Sequence, residues 1–592
     1  MNNVSGIKEI TPQVSKEENF RSLLDEAFLR PIRSVLIVDD EFPTLEKLLN
    51  QEGDAKHDNI QRLKELITEC RSENRRWLVD VHDGSYGSLA AESSFEHMHQ
   101  SDLLILDYHL DGGETNEKAL SILRTLARND HFNLVVVYTH GYGGDAGLSK
   151  VGLEIASSLT VNRFNDAAVP EAATEMLDSW EDDDDTIYQT LLACVDRNAL
   201  LEILNSGNSP KWKELKLLPS LSKLRQIIEA RQGEKKCNLA ELAERIILDR
   251  IRKDSDVFSN SDFGKIKYSS VNNIWIRTNK LFITVVGKSI KPAEIPSRLL
   301  DSLENWDPSP HRILMTKIRA ELENVGAHLE QSVLDQKYIQ AGWLHRMLQS
   351  DALERPWRIR ETTARHWEEM ASASQNKIQH FAKRLFSTIP AIENSAGYVL
   401  KHTDVNVESE IDSIKTYHNC YVCSKEVEGH HLMPGHILEI PGKSQNEYWL
   451  CLSPACDLVP VQGSKWRAES TSGLMPFKSV MLHEVGVQKA LGNANSNQYL
   501  FIRVNNQMKA FSFLRSENAN PEWEQMFAHD NGSIKENDLN IDVTRVIFEA
   551  TGVSTKLQKC GLVAQLRYEY ALNLLQKLGA SLSRVGLDFV KK

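Results

Sequence analysis

The segment Ser34-Val-Leu-Ile-Val-Asp-Asp-Glu41 decides the fold of the N-terminal part of the chain. Its apolar run predicts a buried strand that ends on two adjacent carboxylates, Asp39 and Asp40. A second apolar run, Asp102-Leu-Leu-Ile-Leu-Asp107, ends on a third carboxylate. Ligands of an open α/β sheet bind beyond the carboxyl ends of its strands. We therefore expect Asp39, Asp40 and Asp107 to converge in one acidic pocket suited to a hard divalent cation.

A third apolar run, Leu134-Val-Val-Val-Tyr-Thr139, ends on a hydroxyl 32 residues beyond Asp107. That spacing fits strand, helix and strand in succession. The pattern resembles the receiver domain of bacterial response regulators, which has an acidic pair after the first strand, an aspartate after the third and a Ser or Thr after the fourth. The resemblance implies a flavodoxin-like α/β fold with a parallel five-stranded sheet.

The resemblance also implies a role for each matching position. Asp107 would be the nucleophile that accepts a phosphoryl group from a histidine kinase. Asp40 and Asp107 would bind Mg²⁺ directly, Asp39 would bind it through a water molecule, and the backbone carbonyl of His109 would complete the protein ligands. Thr139 would hydrogen-bond the phosphoryl group. Magnesium suits such a site because it prefers oxygen ligands and keeps several waters.

A second interpretation treats Asp39, Asp40 and Glu41 as ordinary acids at a helix N-terminus, where carboxylates are favoured. Three carboxylates held close together repel one another, so without a cation one of them tends to take up a proton. The chemistry at three successive strand ends favours the metal site over the capping role.

The sequence departs from the receiver pattern at the fifth-strand lysine. Residues Leu159–Asn165 contain no lysine, and Lys150 is too close to Thr139 for a helix to intervene. The best candidate is Lys288, at the end of the β-rich run Leu281–Lys288. This assignment makes residues 145–270 a mostly helical insertion. The alternative is a degenerate fifth strand without a lysine.

Length and composition bound the remainder. A chain of 592 residues predicts roughly three to four domains. We divide it into an N-terminal extension (1–30), the receiver-like domain with its insertion (31–304), a helical connector (305–404) and a C-terminal α+β module (405–592). A net charge of −13 argues against broad nucleic-acid binding. No signal peptide or apolar run of about twenty residues is present, so we expect a cytoplasmic protein without membrane association.

Periodic apolar residues predict long helices over His311–Val325, Ser332–Gln349 and Thr362–Ile389. These helices are expected to form a connector or a dimerisation element, and a homodimer is one arrangement they allow. His345 and His366 lie on them. A phosphotransfer role is conceivable for either histidine, but the favoured interpretation is a surface or half-buried residue.

The C-terminal region carries two cysteine pairs, Cys420 with Cys423 and Cys451 with Cys456. A Cys-x-x-Cys pair followed by a second pair is typical of a structural Zn²⁺ site, and His430, His431 and His436 lie between the pairs. The irregular second pair leaves the ligand set open. The alternative is reduced, unpaired cysteines in a core, with disulfides disfavoured inside the cell.

Two other activities are conceivable for this region. Cys456 could act as a nucleophile with His436 and Asp457, which would make the protein a Cys-dependent hydrolase. Adjacent side chains on a strand point to opposite faces, which argues against that triad. A zinc-containing DNA-binding output module is the other alternative. We find no Gly-Lys-Ser/Thr loop, Gly-x-Ser-x-Gly elbow or His-Glu-x-x-His helix, so activity beyond the receiver's own phosphorylation and dephosphorylation is not expected.

Three further stretches, Tyr448–Leu458, Gln565–Ala571 and Ser583–Phe589, resemble large receiver-containing proteins of bacterial anti-phage systems of the Detocs type. In such systems a kinase senses infection and passes phosphate to receiver proteins of the same operon. The resemblance implies an antiviral defence role, as a phosphate sink or as a signalling component.

Overall fold

The computed structural model divides the chain into two compact units, Met1–Ala320 with Phe381–Thr388, and Glu321–His380 with Ile389–Lys592. The first half of the predicted N-terminal extension, and the stretch after residue 583 that resembles Detocs-type proteins, lie outside the residues that the structure describes. The described ranges are 16–50, 57–84, 101–110, 116–164, 167–169, 171–206, 211–230, 239–351, 354–389, 395–442, 445–459, 473–516, 519–535 and 538–583.

The first unit contains a mixed sheet with the strand order β2-β1-β3-β4-β7-β6-β5 in its described part. The first five of these strands are parallel and have the order of a receiver-like fold, whereas β6 and β5 are antiparallel additions at one edge. The predicted five-stranded sheet is therefore extended by a hairpin. The strands are β1 (Ser34–Val38), β2 (Leu78–His82), β3 (Leu103–Leu106), β4 (Asn133–Thr139), β5 (Lys267–Ser269), β6 (Ile274–Arg277) and β7 (Leu281–Gly287).

Each face of this sheet packs on helices. Strand β1 shows the alternation, since Val35 and Ile37 join one apolar core while Leu36 and Val38 join the other. The helices of this unit are α1 (Lys16–Leu24), α2 (Leu45–Leu49), α3 (His57–Cys70), α4 (Glu117–Arg128), α5 (Gly144–Leu159), α6 (Glu171–Asp183), α7 (Ile187–Ala193), α8 (Arg197–Asn205), α9 (Trp212–Leu215), α10 (Ser222–Ala230), α11 (Leu239–Lys253) and α12 (Ile295–Trp306).

Helices α6 to α11 lie between β4 and β7 in the chain, where the sequence predicts a helical insertion. Their apolar faces extend the core beneath α4 and α5. Within the insertion, the apolar stretch Thr186–Leu204 forms two helices, α7 and α8, rather than one. The break lies at Asp196, whose side chain accepts a hydrogen bond from the Ala199 N–H at 2.9 Å and so caps the start of α8.

The predicted connector is helical, with some of its helices contributing residues to both units. Its helices are α13 (Pro310–Leu334), α14 (Lys337–Gln349), α15 (Arg355–Thr388) and α16 (Ser395–Thr403), and α17 (Val407–Cys423) follows in the predicted C-terminal module. His345 is exposed on α14, and His366 is half-buried on α15.

The C-terminal module, expected from the sequence to be α+β, contains a β-barrel. Strands β9, β10, β11, β14, β15 and β16 close into a ring because β10 pairs with both β9 and β11. The hairpin β12–β13 extends β11, and β8 adds to β16. The strands are β8 (Ser424–Lys425), β9 (His436–Ile440), β10 (Glu447–Cys451), β11 (Met475–Val485), β12 (Tyr499–Val504), β13 (Gln507–Ser512), β14 (Trp523–Ala528), β15 (Asn540–Glu549) and β16 (Gly552–Leu566).

Alternation along these strands builds two separate cores. Leu438, on β9, lies in the barrel interior with side chains from all six ring strands. Its neighbour Ile437 lies in a second core with β12, β13 and the last helix. Two further α-helices of the described part are α18 (Val487–Gly492) and α19 (Tyr568–Leu582).

Candidate functional site

The acidic pocket forms at the carboxyl edge of the parallel strands in the first unit. Strands β1 and β3 end level with each other, since Val38 pairs with Leu106. The Asp107 N–H donates to the Val38 carbonyl at 2.8 Å, and the Asp39 N–H donates to the His82 carbonyl at 3.1 Å. The sheet ladder therefore holds the backbone of both acids in place.

Oxygen atoms of Asp39, Asp40 and Asp107 lie within 4.8 Å of one another. Asp39 is 2% exposed and Asp107 is 6% exposed, while Asp40 is the most accessible of the three. Carboxylate oxygens are the hard ligands that Mg²⁺ prefers, so the donor set fits this cation. The sequence thus identified three acids that the fold brings together.

Lys288 completes the pocket from far along the chain. Strand β7 runs parallel to β4, and the Lys288 N–H donates to the Thr139 carbonyl at 2.9 Å as the last step of that pairing. The Lys288 Nζ lies 2.7 Å from Asp107 Oδ2 and 2.8 Å from Asp39 Oδ2. The insertion therefore separates β4 and β7 in sequence without separating them in space.

Charge and burial act against each other in this pocket. Burial, followed by the repulsion of Asp107, raises the pKa of Asp39 to about 6 even though Lys288 opposes the rise. Burial alone would lower the pKa of the Lys288 ammonium, but the charges of Asp107 and Asp39 outweigh it and hold the pKa above its ordinary value. One cation between two buried carboxylates leaves the three acids with an excess of negative charge, which a divalent cation would relieve.

Thr139 and His109 also lie at this edge. Thr139 is fully buried, and its Oγ1 accepts a hydrogen bond from the Gly141 N–H at 3.2 Å. The chain turns sharply after Thr139, and Gly141 adopts a φ of +59° in this turn, a conformation that glycine tolerates. His109 follows Asp107 by two residues, and its N–H reaches Asp107 Oδ1 at 3.5 Å.

Two residues beside the pocket were not assigned to the phosphoacceptor site from the sequence. The Glu41 carboxylate lies 3.5 Å from the Lys288 Nζ, and the Phe42 ring centroid lies 5.7 Å from the same atom. Glu41 directly follows the acidic pair, so its position in the motif was the only available signal. Lys288 is thus contacted by three carboxylates and one aromatic ring.

A hydrogen-bond network next to the pocket was also missed. Glu154 Oε2, on α5, accepts from the Tyr108 hydroxyl at 2.7 Å, the Tyr142 hydroxyl at 2.7 Å and the Asn116 Nδ2 at 3.0 Å. Tyr108 is the residue after Asp107, and Tyr142 follows Thr139 by three. Burial, followed by the hydrogen bond to Glu154, raises the pKa of Tyr142 to about 12. Glu154 therefore connects the two loops that carry the phosphoacceptor and the hydroxyl.

The cysteines of the second unit do not form a comparable cluster. Cys423 is the last residue of α17 and lies in the second core, with β12, β13 and the last helix. Cys451 lies in the barrel interior, and Cys420 belongs to a third, smaller core. Cys456 is exposed. Among the residues that the structure describes, no group with metal-binding geometry contains any of these four sulfurs, so the structure does not support the predicted Zn²⁺ site. The cysteines in the described ranges are all free.

The proposed catalytic triad around Cys456 is not assembled either. Cys456 and Asp457 lie on a short helical turn, Ala455–Leu458, rather than on a strand. For that reason Cys456 Sγ does reach Asp457 Oδ1, at 3.5 Å. His436, however, is fully buried at the start of β9, where its Nδ1 accepts from the Met433 N–H at 3.2 Å.

Comparison with known proteins agrees with the geometry of the acidic pocket. Residues 31–190 match the family model of the response receiver domain. This match contains Asp39, Asp40, Asp107 and Thr139 and ends within the helical insertion, before Lys288. No curated protein and no solved structure matches the chain. Over residues 31–190 the chain is therefore similar to a response receiver domain.

None of the described helices combines the length and the apolar character that crossing a membrane requires.

Proposed function

We propose that this protein is a response regulator of a bacterial two-component system that accepts a phosphoryl group from a histidine kinase on Asp107. The observation that supports this most strongly is the meeting of Asp107 with Asp39, Asp40 and Lys288 at the edge that also carries Thr139. These residues are supplied by four different strand ends, so their convergence depends on the whole sheet.

In the transfer step, a carboxylate oxygen of Asp107 attacks the phosphorus of a phosphohistidine. The new P–O bond forms as the P–N bond breaks, and the electron pair returns to the donor imidazole, which takes up a proton. In the structure the Lys288 ammonium contacts Asp107, and from this position it neutralises charge on the phosphoryl oxygens. The Thr139 hydroxyl donates a hydrogen bond to one of them.

Magnesium would be held directly by Asp40 and Asp107 and the His109 carbonyl, and through water by Asp39. When bound, the cation screens the anionic phosphate from the anionic nucleophile. The three carboxylates fit this ion because they offer oxygen ligands that lie within 4.8 Å of one another.

We further propose a role in cytoplasmic anti-phage defence, as a phosphate sink or as a signalling component among receiver proteins of one operon. The resemblance of Tyr448–Leu458 and Gln565–Ala571 to Detocs-type proteins supports this proposal. In cells, Asp107→Asn should abolish protection against phage when the cognate kinase is expressed. Protection that persists with Asp107→Asn would reject a defence role based on phosphorylation.

The phosphoacceptor is tested by incubating the full chain with Mg²⁺ and acetyl phosphate, followed by intact mass and peptide mapping. We expect one phosphoryl group, on the peptide that contains Asp107, and no labelling when the metal is chelated. Asp107→Asn should remove the label, whereas Asp130→Asn, an exposed acid in the same domain, should retain it. Undiminished labelling of Asp107→Asn would show that the assignment is wrong.

A further inference from the structure

Helix α14 in the second unit exposes apolar side chains of a kind that a helix usually buries. Every residue of α14 except Gln340 and Met347 is exposed. A surface helix ordinarily turns its apolar stripe towards the protein. Five large apolar side chains of α14 face solvent instead, with Tyr338 81% and Leu348 74% exposed, and the others are Ile339, Trp343 and Leu344. Contiguous exposed apolar surface marks an interaction site.

Four of these side chains form two rows along α14. Residues four apart lie one above the other on a helix, so Ile339 and Trp343 form one row, and Leu344 and Leu348 form the other. An ion pair joins α14 to α15 near the C-terminal end of α14, where Arg346 Nη2 lies 3.7 Å from Glu361 Oε2. This pair holds α14 at one end, and both apolar rows remain accessible to a partner.

The charge of α14 restricts what can pack on it. The helix carries Lys337 and Arg346 and has no acidic residue. Two α14 helices packed antiparallel would place Lys337 of one copy near Arg346 of the other, and in a parallel pair each cation would face its own counterpart. Like charges brought together in an interface are unfavourable. The surface that packs on α14 should therefore carry negative charge.

Helix α15 of the same unit offers a surface with that charge. Trp367 is 63% exposed there, and two exposed acids, Glu368 and Glu369, directly follow it in the sequence. Neither acid forms an ion pair with another described residue, whereas the neighbouring Arg365 is paired with Glu361 at 2.7 Å. Each copy of the chain thus carries a basic apolar helix and an acidic site with an exposed aromatic ring. A surface that contains both complementary parts can pair with its own copy about a two-fold axis.

We propose that two copies of the chain form a dimer in which α14 of each copy packs along α15 of the other, around Trp367. The exposed apolar side chains of α14 and Trp367 offer roughly 700 Å² on each copy, at about 200 Å² for a whole aromatic side chain. An interface of standard size takes about 800 Å² from each partner, so this surface supplies most of what a stable dimer needs. The surface lies in the other unit from Asp107, and the dimer does not depend on phosphorylation.

The test is sedimentation velocity of the unphosphorylated full chain over a wide range of protein concentration. We expect a dimer that dissociates on dilution. Trp343→Ser combined with Leu348→Ser should weaken the dimer by at least about tenfold, because each apolar row loses an anchoring side chain. Leu557→Ser, at an exposed leucine on β16 of the same unit, should leave association unchanged. A dimer that the double variant does not weaken would overturn the proposal, and a monomer at every concentration would overturn it in favour of a different protein as the partner of α14.

An exchange of charges tests which helices meet and does not depend on the apolar variants. Lys337→Glu should weaken the dimer by about fivefold, and so should Glu368→Lys with Glu369→Lys, because each change places like charges in the interface. The three changes together should recover most of the lost affinity, since the opposite charges then face each other again. All three positions are exposed, so the variants should keep the far-ultraviolet circular dichroism of the parent. A combined variant that associates no better than the separate ones would overturn the pairing of α14 with α15.

Discussion

The acidic edge of the receiver sheet and the cysteine pairs of the barrel unit have equally suggestive sequences and opposite outcomes. Asp39 and Asp107 follow paired parallel strands, so the hydrogen-bond ladder brings them to the same edge. The side chains of Cys423 and Cys451 lie in different cores. Motif residues converge when the backbone pairing that places them can be inferred from the same sequence, and spacing alone does not ensure this.

The largest stability effect is expected from Lys288→Met. Removing the ammonium leaves Asp39 and Asp107 buried without a counter-charge, which should destabilise the metal-free receiver unit by about 3 kcal/mol. Saturating Mg²⁺ should restore most of that loss, because the cation replaces the missing charge. Denaturant-dependent hydrogen exchange of the amides of β1 and β3 reports on this unit by itself.

Lys291→Met is the matched control, since Lys291 is exposed three residues further along. Its stability should stay within about 0.5 kcal/mol of the parent. If Lys288→Met is equally harmless without metal, the two carboxylates are not ionised together in the folded state, and the electrostatic description of the pocket is wrong.

The parallel core of the receiver was predictable because short apolar runs ending in functional residues define both the strands and the edge. Lys288 could be selected as a candidate because the apolar run before it has the composition of a strand, and this signal does not depend on how far the run lies from the other strands in the sequence. The Glu154 network was not predictable, since Tyr108, Asn116 and Tyr142 meet it only after a helix and two loops are packed together. Barrel closure likewise was not predictable. It requires β10 to pair with β11 as well as with β9, and no local sequence pattern specifies that pairing.

His436 gives the barrel unit a pH dependence. Its pKa is about 3 in the folded state, against an ordinary histidine value of 6.5, so the unfolded chain binds the proton first as the pH falls. Its stabilising contribution is complete above pH 6.5 and is lost progressively towards pH 3, with a loss of about 2 kcal/mol at about pH 5. Hydrogen exchange of the β9 and β16 amides in phosphate-free buffer measures this loss.

His436→Asn should remove most of that acid-dependent loss, while His418→Gln, at an exposed histidine of the same unit, should retain it. An unchanged pH dependence in His436→Asn would show that another group is responsible. The receiver pocket provides the contrast, because there a buried titratable group is balanced by a neighbouring cation.

Glu154→Gln should have a smaller effect, about 1 kcal/mol of lost stability, because the tyrosine hydroxyls exchange a charged acceptor for a neutral one. Labelling of Asp107 by acetyl phosphate should also slow, since the loop that follows it loses part of its anchor. Glu117→Gln, at an exposed acid on α4, is the control for both measurements. Unchanged labelling and stability in Glu154→Gln would show that the network does not support the pocket.

The smallest effect is expected from Cys456→Ser, which should change stability by less than about 0.5 kcal/mol and leave the zinc content of the purified protein unchanged. Cys456 is exposed and makes a long hydrogen bond to its neighbour Asp457, and serine is close to cysteine in size and can keep that hydrogen bond. Cys420→Ser should likewise leave the zinc content unchanged. Loss of stoichiometric zinc from both variants would instead mean that the two sulfurs share a metal, and that the barrel unit resembles the receiver pocket after all.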